Sequence, residues 1–369
     1  MEVREMVEKL KKYVWFVDRC SECGACVSTC AKNILKFTNG SGHPIQETIE
    51  KNIGLTHIIA DTCFFCEKPC EDSCPRLKDW DLGPTIQKTL VTTELPDGNV
   101  VNALIVSSLR RKLIDGAILW DIDSDSFRPV PRIVVDEEYV LKSRGYQHLW
   151  YPILAVLNDA IYKERLKKIA VVGPPCVVQA VRSILTSTNS KLKMYRDSIR
   201  LIIGFFCDGA YTQQLVDEIV DRFDVKPYEI NTISVDLRNK LMRIVLQNVL
   251  VKGIKMSEVR KYMKKGCAHC TDFAAEWADI STGKIDFEGT LVITRTPVGQ
   301  KCLEYALMEK MLRVLQVTVG MDELQKLILD KERRKRVQEI DSTLSSILNS
   351  LAAREYNEEI VKMLKSLRR

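Results

Sequence analysis

The sequence predicts an α/β core, a mixed sheet flanked by helices, with a small cysteine-rich α+β domain before it and a helical extension after it. Apolar strands alternate with amphipathic helices between about residues 100 and 320, which is the pattern of an α/β sheet. Residues 20–75 contain eight cysteines and little hydrophobic periodicity, so bound ligands are expected to hold this segment together. Residues 321–369 are charged and have a helical pattern.

The elements follow from periodicity and from the positions of glycine and proline. Residues 1–19 are predicted to form a helix. Residues 76–100 are predicted to form a linker, because Gly83, Pro84, Pro96 and Gly98 would interrupt regular secondary structure there. The helices predicted beyond the linker cover residues 100–113, 148–166, 177–185, 210–223 and 300–315. The predicted strands cover residues 117–122, 168–173, 199–206 and 291–296, with a hairpin over 231–250. These elements divide the chain into domains at 1–85, 86–320 and 321–369.

Composition excludes several classes of protein. The 369 residues are 46% hydrophobic, and the net charge is 55 − 49 = +6, which is mild for a nucleic-acid binder. No apolar run approaches the roughly 18 residues of a membrane span, and the charged N-terminal segment does not resemble a secretory signal. We therefore expect a cytoplasmic, reducing location. The thirteen cysteines are then better explained as ligands than as disulfides.

The first eight cysteines form two runs. The first is Cys20-x2-Cys23-x2-Cys26-x3-Cys30, and the second is Cys63-x2-Cys66-x3-Cys70-x3-Cys74. This is the two-cluster ferredoxin pattern, in which the fourth cysteine of each run serves the other [4Fe–4S] cluster. One cluster is therefore assigned to Cys20, Cys23, Cys26 and Cys74, and the other to Cys63, Cys66, Cys70 and Cys30. The N-terminal domain is accordingly predicted to be ferredoxin-like, with Gly24 in the tight turn.

Two features depart from the usual ferredoxin pattern. Ala31 replaces the proline that commonly follows the fourth cysteine, and the second run has three residues between its second and third cysteines. Zinc is the competing ligand, although zinc sites usually use cysteine pairs separated by a longer loop.

Four further cysteines are candidates for a third site. Cys176 and Cys207 each follow a predicted strand, and Cys267 and Cys270 form a C-x2-C pair. Ligand sites of open α/β sheets gather at the carboxyl ends of strands, so these thiols are expected to meet there. Zinc binding and ordinary burial of the thiols remain alternatives at this point.

The segments GPPCVVQAVR, GFFCDG, GCAHCTDFAAEWADISTG and LVITRTPVGQ resemble the beta subunits of coenzyme F420-reducing hydrogenases and formate dehydrogenases. The resemblance covers about residues 90–320. The fused ferredoxin segment resembles that of the input subunit of F420H2 dehydrogenase and of F420-dependent sulfite reductase. The family implies an oxidoreductase with FAD, with a third [4Fe–4S] cluster on Cys176, Cys207, Cys267 and Cys270, and with coenzyme F420 as hydride partner. It also implies a redox partner subunit or a larger complex. The composition argues against nucleic acid as a partner and against a membrane span, and peripheral membrane association is left open.

The same resemblance suggests which residues contact the cofactors. The candidates lie at the start of the first core helix, between the first two predicted strands, after the C-x2-C pair and in the last strand: Gly98, Asn99, Asn102, Arg144, Asp279, Thr294 and Arg295. Asp279 either shapes the flavin pocket or caps a turn, and Arg295 either pairs with a cofactor phosphate or is a surface residue. Cys302 is interpreted as a buried thiol, and KERRKR at 331–336 as a solvated helix face.

An alternative function stays open at this stage. The family commonly has a DGG stretch where this chain has Asp97-Gly98-Asn99, and SRGYQH at 143–148 lacks the usual lysine, for which Arg144 is the candidate replacement. These departures favour a ferredoxin-dependent flavin reductase of the same fold acting on another substrate, as in the plant hydroxymethyl-chlorophyll reductases that resemble this family.

Overall fold

The structure, a computed structural model, describes residues 8–37, 43–46, 66–81, 83–93, 95, 99–145, 148–284, 289–315 and 321–352. The strands, in chain order, are β1 (Leu35–Lys36), β2 (Ile45–Gln46), β3 (Gln87–Thr93), β4 (Gly116–Ile122), β5 (Pro129–Val134), β6 (Ile169–Gly173), β7 (Ile199–Phe205), β8 (Ile230–Asp236), β9 (Leu241–Leu246), β10 (Val251–Lys255), β11 (Ile280–Gly283), β12 (Thr290–Thr294) and β13 (Leu312–Val314). The α-helices are α1 (Glu8–Leu10), α2 (Ala25–Ser28), α3 (Pro69–Asp72), α4 (Val100–Arg110), α5 (Glu137–Lys142), α6 (Leu157–Tyr162), α7 (Pro175–Thr186), α8 (Lys193–Ser198), α9 (Gln214–Phe223), α10 (Met256–Val259), α11 (Pro297–Met308) and α12 (Met321–Ala352).

The main sheet is mixed, as predicted. Within the described residues it contains eight strands in the order β13-β3-β12-β11-β7-β6-β4-β5. Its centre, β11-β7-β6-β4, is parallel, and the flanking strands on both sides are antiparallel. The central strands β6 and β7 are apolar and almost wholly buried, as a parallel sheet covered on both faces requires. The α/β core is confirmed.

Each face of this sheet has its own apolar core. Helices α6, α7 and α8 cover one face, where Trp120, Val171 and Ile202 pack against Val177 and Val181. Helices α4 and α11 cover the other face through Leu104, Ile105 and Leu303. A separate layer forms where α9 packs against the antiparallel sheet β10-β9-β8.

Several sequence predictions were wrong in detail. The predicted linker over 76–100 contains β3, which pairs with both β12 and β13 inside the main sheet. The helix predicted over 148–166 begins only with a 3₁₀ turn at Ile153–Val156, because Pro152 precedes it and Trp150 N–H donates to Tyr211 O at 2.9 Å. The predicted helix over 300–315 ends at Met308, and its last residues form β13. The 231–250 hairpin is confirmed and gains a third strand, β10.

The N-terminal segment packs on the helices and loops that cover one face of the main sheet. Leu154 N–H donates to Cys23 O at 2.9 Å, Trp150 Nε1 donates to Glu22 O at 3.1 Å, and Tyr195 OH donates to Ser28 O at 2.6 Å. Gly24 lies in this contact with a left-handed φ of 91°, and a Cβ there would be 2.5 Å from Ala155 N. Gly24 therefore serves the packing between two segments as well as the turn that the sequence suggested.

We expect Gly24→Ala to destabilise the protein by about 2 kcal/mol or more. The alanine would have to adopt a left-handed backbone conformation, and its Cβ would also collide with the backbone of Ala155. The measurement is an anaerobic thermal unfolding scan. Gly253→Ala is the matched control, since the nearest atom to its added Cβ is 3.9 Å away. An equal melting temperature for wild type and Gly24→Ala would contradict this account of the interface.

Candidate functional site

The first pocket lies at the N-terminal segment and brings together one predicted cysteine set. Cys20, Cys23, Cys26 and Cys74 line it, beside the apolar side chains of Leu10, Val14, Trp15 and Phe37. Cys23, Cys26 and Cys74 are buried, so the pocket is closed to bulk water on most sides. Cys74 comes from the second run, which is the exchange that the spacing predicted.

Two short helices place these cysteines. Each begins after a residue with left-handed backbone, Gly24 before α2 and Lys68 before α3. The residues that precede the two fourth cysteines, Thr29 and Ser73, share a hydrogen bond of 2.9 Å between their hydroxyl oxygens. This bond is buried and joins the ends of the two helices. It thereby keeps Cys30, which follows α2, close to α3, and Cys74, which follows α3, close to α2.

The second predicted set is described only in part. Cys30 and Cys70 are buried in the apolar cluster that also contains Cys26 and Cys74, and Cys66 is half-buried. Cys63 lies outside the described residues. The assignment of a cluster to Cys63, Cys66, Cys70 and Cys30 stays a prediction.

The second pocket lies at the carboxyl edge of the parallel strands and brings together the remaining predicted ligands. Cys176, Cys207, Cys267 and Cys270 line it. Cys176 is in the first turn of α7 after β6, Cys207 follows β7, and the C-x2-C pair lies on a 3₁₀ turn at Lys265–His269. Cys302, by contrast, is fully buried between α4 and α11 and bonds to Ser108 Oγ at 3.3 Å.

The two pockets are neighbours. Ser21 and Arg76 line both of them. Gly266 fits against Cys20, since a Cβ at residue 266 would be 2.0 Å from Cys20 O. Arg76 Nη2 donates to Gly266 O at 3.4 Å and so joins the end of the second cysteine run to the C-x2-C turn.

Three cations surround the second pocket. They are Arg76, Lys264 and Lys331. Lys264 forms an ion pair with Glu22 and lies 5.8 Å from the ring centroid of Trp150. Lys331 is only 4% exposed, and its Nζ donates to the carbonyls of Cys207 and Asp272, both at 2.6 Å. Sequence reasoning missed all three, and it placed Lys331 wrongly on a solvated face.

Burial and charge act in opposite directions on the thiols. Burial raises the pKa of Cys74 and of Cys207 to about 12, and it raises the pKa of Cys176 well above the ordinary value. Burial also opposes ionisation of Cys270, but Lys331 and Arg76 outweigh it and leave the pKa of Cys270 below its usual range. These sites therefore favour thiolates only where positive charge accompanies them.

The donor set fits iron–sulfur clusters in both pockets. Four cysteines surround each space, and the cations beside the second pocket suit an anionic group. Within the described ranges, no three or more His, Cys, Asp or Glu side chains are arranged to hold a single metal ion.

The predicted flavin residues fall into two groups. Asn99, Asn102 and Arg144 lie at the carboxyl edge of the sheet, where Arg144 N–H donates to Asp121 Oδ1 at 3.0 Å beside the end of β4. Asn99 caps α4, with Oδ1 accepting from Val101 N–H at 3.0 Å and Asn102 N–H at 3.3 Å. Gly98 lies outside the described residues.

The second group lies at the other end of β11. Asp279 precedes β11, and its carboxylate accepts from Ile202 N–H at 2.8 Å, Thr296 Oγ1 at 2.8 Å and Arg182 Nη2 at 3.1 Å. Arg295 is buried and pairs with Glu276 Oε2 at 3.0 Å. Thr294, also buried, ends β12 beside Ile280. Asp279 and Arg295 thus have structural partners, and a flavin contact for this group stays a prediction.

The chain matches three sequence families. Two of them describe the beta subunit of coenzyme F420 hydrogenase/dehydrogenase: residues 91–158 match the family of its N-terminal part, and residues 166–319 match the family of its C-terminal part. Residues 19–77 match the 4Fe-4S dicluster domain.

Individual proteins show the same likeness. An uncharacterized protein of Methanocaldococcus jannaschii is 30% identical over 362 residues, which are 90% of this chain and 99% of that protein. The beta subunit of the coenzyme F420 hydrogenase of Methanococcus voltae is 29% identical, over 64% of this chain and 85% of its own. A subunit of the F420H2 dehydrogenase of Methanosarcina mazei is 24% identical, over 77% and 81%.

A solved structure supports the fold. A chain in the F420-reducing [NiFe] hydrogenase complex from Methanosarcina barkeri has a TM-score of 0.64 and 23% identity, and the match covers 73% of this chain and 94% of that one.

We expect Asp279→Ala to lower the free energy of unfolding by about 3 kcal/mol, because it removes the ion-pair partner of Arg182 and leaves the buried N–H of Ile202 without its acceptor. Denaturant unfolding under anaerobic conditions measures this, with the exposed Asp125→Ala as control. Unchanged stability with loss of bound flavin would instead assign Asp279 to the cofactor.

Proposed function

The chain belongs to the family of coenzyme F420 hydrogenase/dehydrogenase beta subunits, and from that premise we propose a specific activity for it. It is an iron–sulfur electron-transfer subunit of an oxidoreductase. The proposed reaction is hydride exchange between coenzyme F420 and FAD, with single electrons passing through three [4Fe–4S] clusters to or from a partner protein.

One observation carries the proposal. The four-cysteine pocket at the carboxyl edge of the sheet directly adjoins the four-cysteine pocket of the N-terminal segment, with Arg76 and Ser21 shared between them. Two adjoining buried thiolate sites within one chain are what an electron relay needs, since each site must lie close to the next.

The proposed ligands follow the two pockets. Cys176, Cys207, Cys267 and Cys270 would hold the cluster nearest the flavin, and Cys20, Cys23, Cys26 and Cys74 would hold the next. Cys63, Cys66, Cys70 and Cys30 would hold the third. When bound, a flavin exchanges electrons both in pairs and singly, which suits a position between a hydride carrier and iron–sulfur clusters.

Asn99, Asn102 and Arg144 are the proposed flavin contacts. They lie at the same edge of the sheet as Cys176 and Cys207, and ligands of open α/β sheets bind at that edge. The guanidinium of Arg144 suits an anionic, phosphate-bearing group.

A redox partner subunit or a larger complex completes the proposal, because several relatives are named as subunits of hydrogenases or dehydrogenases. No helix in the described part of the chain is long and apolar enough to cross a bilayer.

One observation favours the second candidate, a ferredoxin-dependent flavin reductase of the same fold. Asn99 stands where the family commonly has glycine, and its Oδ1 already accepts two of the first N–H groups of α4. Those groups are therefore occupied rather than offered to a ligand.

We expect about twelve irons and one FAD per anaerobically purified chain, four irons for each cluster, and bleaching of the visible bands when reduced F420 is added. The coenzyme should be oxidised in step with the bleaching. If only reduced ferredoxin bleaches the flavin, the second candidate replaces the first. A chain without flavin would contradict both.

We expect Cys176→Ser to lose about four irons per chain, since it removes one thiolate of a four-cysteine site. Cys302→Ser is the control and should keep all of them, because Cys302 lies away from both pockets between α4 and α11. The measurement is iron per chain together with the reduced-state EPR spectrum. Equal iron in the two variants would remove the cluster on Cys176, Cys207, Cys267 and Cys270 from the proposal.

A further inference from the structure

The long C-terminal helix α12 is attached to the second pocket by one face. Leu324 is buried, and Leu327 and Ile328 are partly buried, in a cluster with Phe273, Leu291 and Ile293. Residues 324, 327, 328 and 331 lie on one side of a helix, at the spacing i, i+3, i+4 and i+7. The apolar stripe therefore determines which side Lys331 occupies and directs it toward the pocket.

Lys331 is placed with unusual neighbours for a lysine. Its Nζ contacts two backbone carbonyls, of Cys207 and of Asp272, and its side chain lines the pocket with the four cysteines. Among the described residues it forms no ion pair with a carboxylate within 4.0 Å. A buried cation whose hydrogen-bond acceptors are neutral is costly, and the negative charges that offset this cost are the thiolates of Cys270 and Cys207 together with the carboxylate of Asp272.

The next turn of α12 adds a second attachment. Arg334 Nη1 donates to Asp208 Oδ2 at 3.2 Å, and the other two atoms of the pair also form an ion pair. Asp208 directly follows Cys207, so α12 contacts two successive residues after β7: Lys331 donates to the carbonyl of Cys207, and Arg334 pairs with the carboxylate of Asp208.

This helix is an addition to the family domain. The match to the C-terminal part of the beta-subunit family ends at residue 319, whereas α12 begins at Met321.

We propose that α12 is a built-in cap of the Cys176/Cys207/Cys267/Cys270 pocket and that Lys331 is a positioning residue whose fixed positive charge raises the reduction potential of the cluster held there. This rests on the proposed function for the presence of that cluster. Reduction adds one electron to the site, and a neighbouring cation stabilises the more negative state. Cluster potentials respond to net charge, hydrogen bonds to the sulfurs and solvent exposure, and α12 contributes charge and cover to this pocket through Lys331.

The test is an EPR-monitored redox titration of the full-length protein in four forms: wild type, Lys331→Met, Lys331→Arg and Lys326→Met. The Cys176→Ser protein identifies which EPR signal belongs to this pocket. Lys326 is the matched control because it lies on the same helix with its side chain 70% exposed.

In Lys331→Met we expect the equilibrium constant for one-electron reduction of this cluster to fall at least tenfold, which corresponds to a midpoint about 59 mV lower. The midpoints of the two other clusters should change by less than a third of that shift. Lys331→Arg keeps the charge and should lie near wild type, and Lys326→Met should match it. Loss of iron in Lys331→Met that Lys331→Arg restores would also support the cap.

Two results would overturn the inference, and they are distinguishable. A wild type with about twelve irons, and a Lys331→Met protein with the same iron and the same midpoint, would reject the role of Lys331 while leaving the proposed function standing. A wild type with only about eight irons, none of which Cys176→Ser removes, would mean that the Cys176/Cys207/Cys267/Cys270 pocket holds no cluster, and that cluster would fall from the proposed function together with the inference.

Discussion

Eight thiols around two adjoining pockets impose the main electrostatic constraint on this protein. A buried thiolate is unstable without positive charge, and burial raises the pKa of Cys74, Cys176 and Cys207 well above the ordinary value. The chain meets this with cations brought from distant segments. Arg76 comes from the end of the second cysteine run and Lys331 from the C-terminal helix, and the thiolates in turn raise the pKa of both side chains against the effect of burial.

The sheet topology decides where these groups meet. Because β6 and β7 are parallel neighbours, their carboxyl ends share one edge, and Cys176 and Cys207 follow those two ends. The N-terminal segment packs against the same edge. The backbone of Cys20 contacts Gly266 there, so this segment and the core are in direct contact. The fold thereby brings separate stretches of sequence into one continuous cysteine-lined region.

The residues that the family resemblance predicts around the flavin lie in two separate places in the structure. Asn99, Asn102 and Arg144 lie on the pocket side of the sheet, whereas Asp279, Thr294 and Arg295 lie near the amino end of β11. The carboxylate of Asp279 joins β7, α7 and the start of α11 through three hydrogen bonds. A conspicuous block of sequence around a cysteine pair can therefore contain residues that support the sheet, whether or not they also contact a cofactor.

The sequence by itself determined the features that depend on short spacing. The cysteine intervals determined which thiols share the first pocket, and the alternation of apolar strands with amphipathic helices determined the α/β core. It did not reveal β3, because that strand lies among charged and glycine-proline residues and becomes regular only by pairing with β12 and β13. Only the tertiary structure decided the charge around the thiolates: Arg76 contacts Gly266 from 190 residues away, and Lys331 contacts Cys207 from 124 residues away. Local propensity carries no information about such pairs, since a lysine in a charged helical run looks solvated until the apolar face of its helix has a surface to pack against.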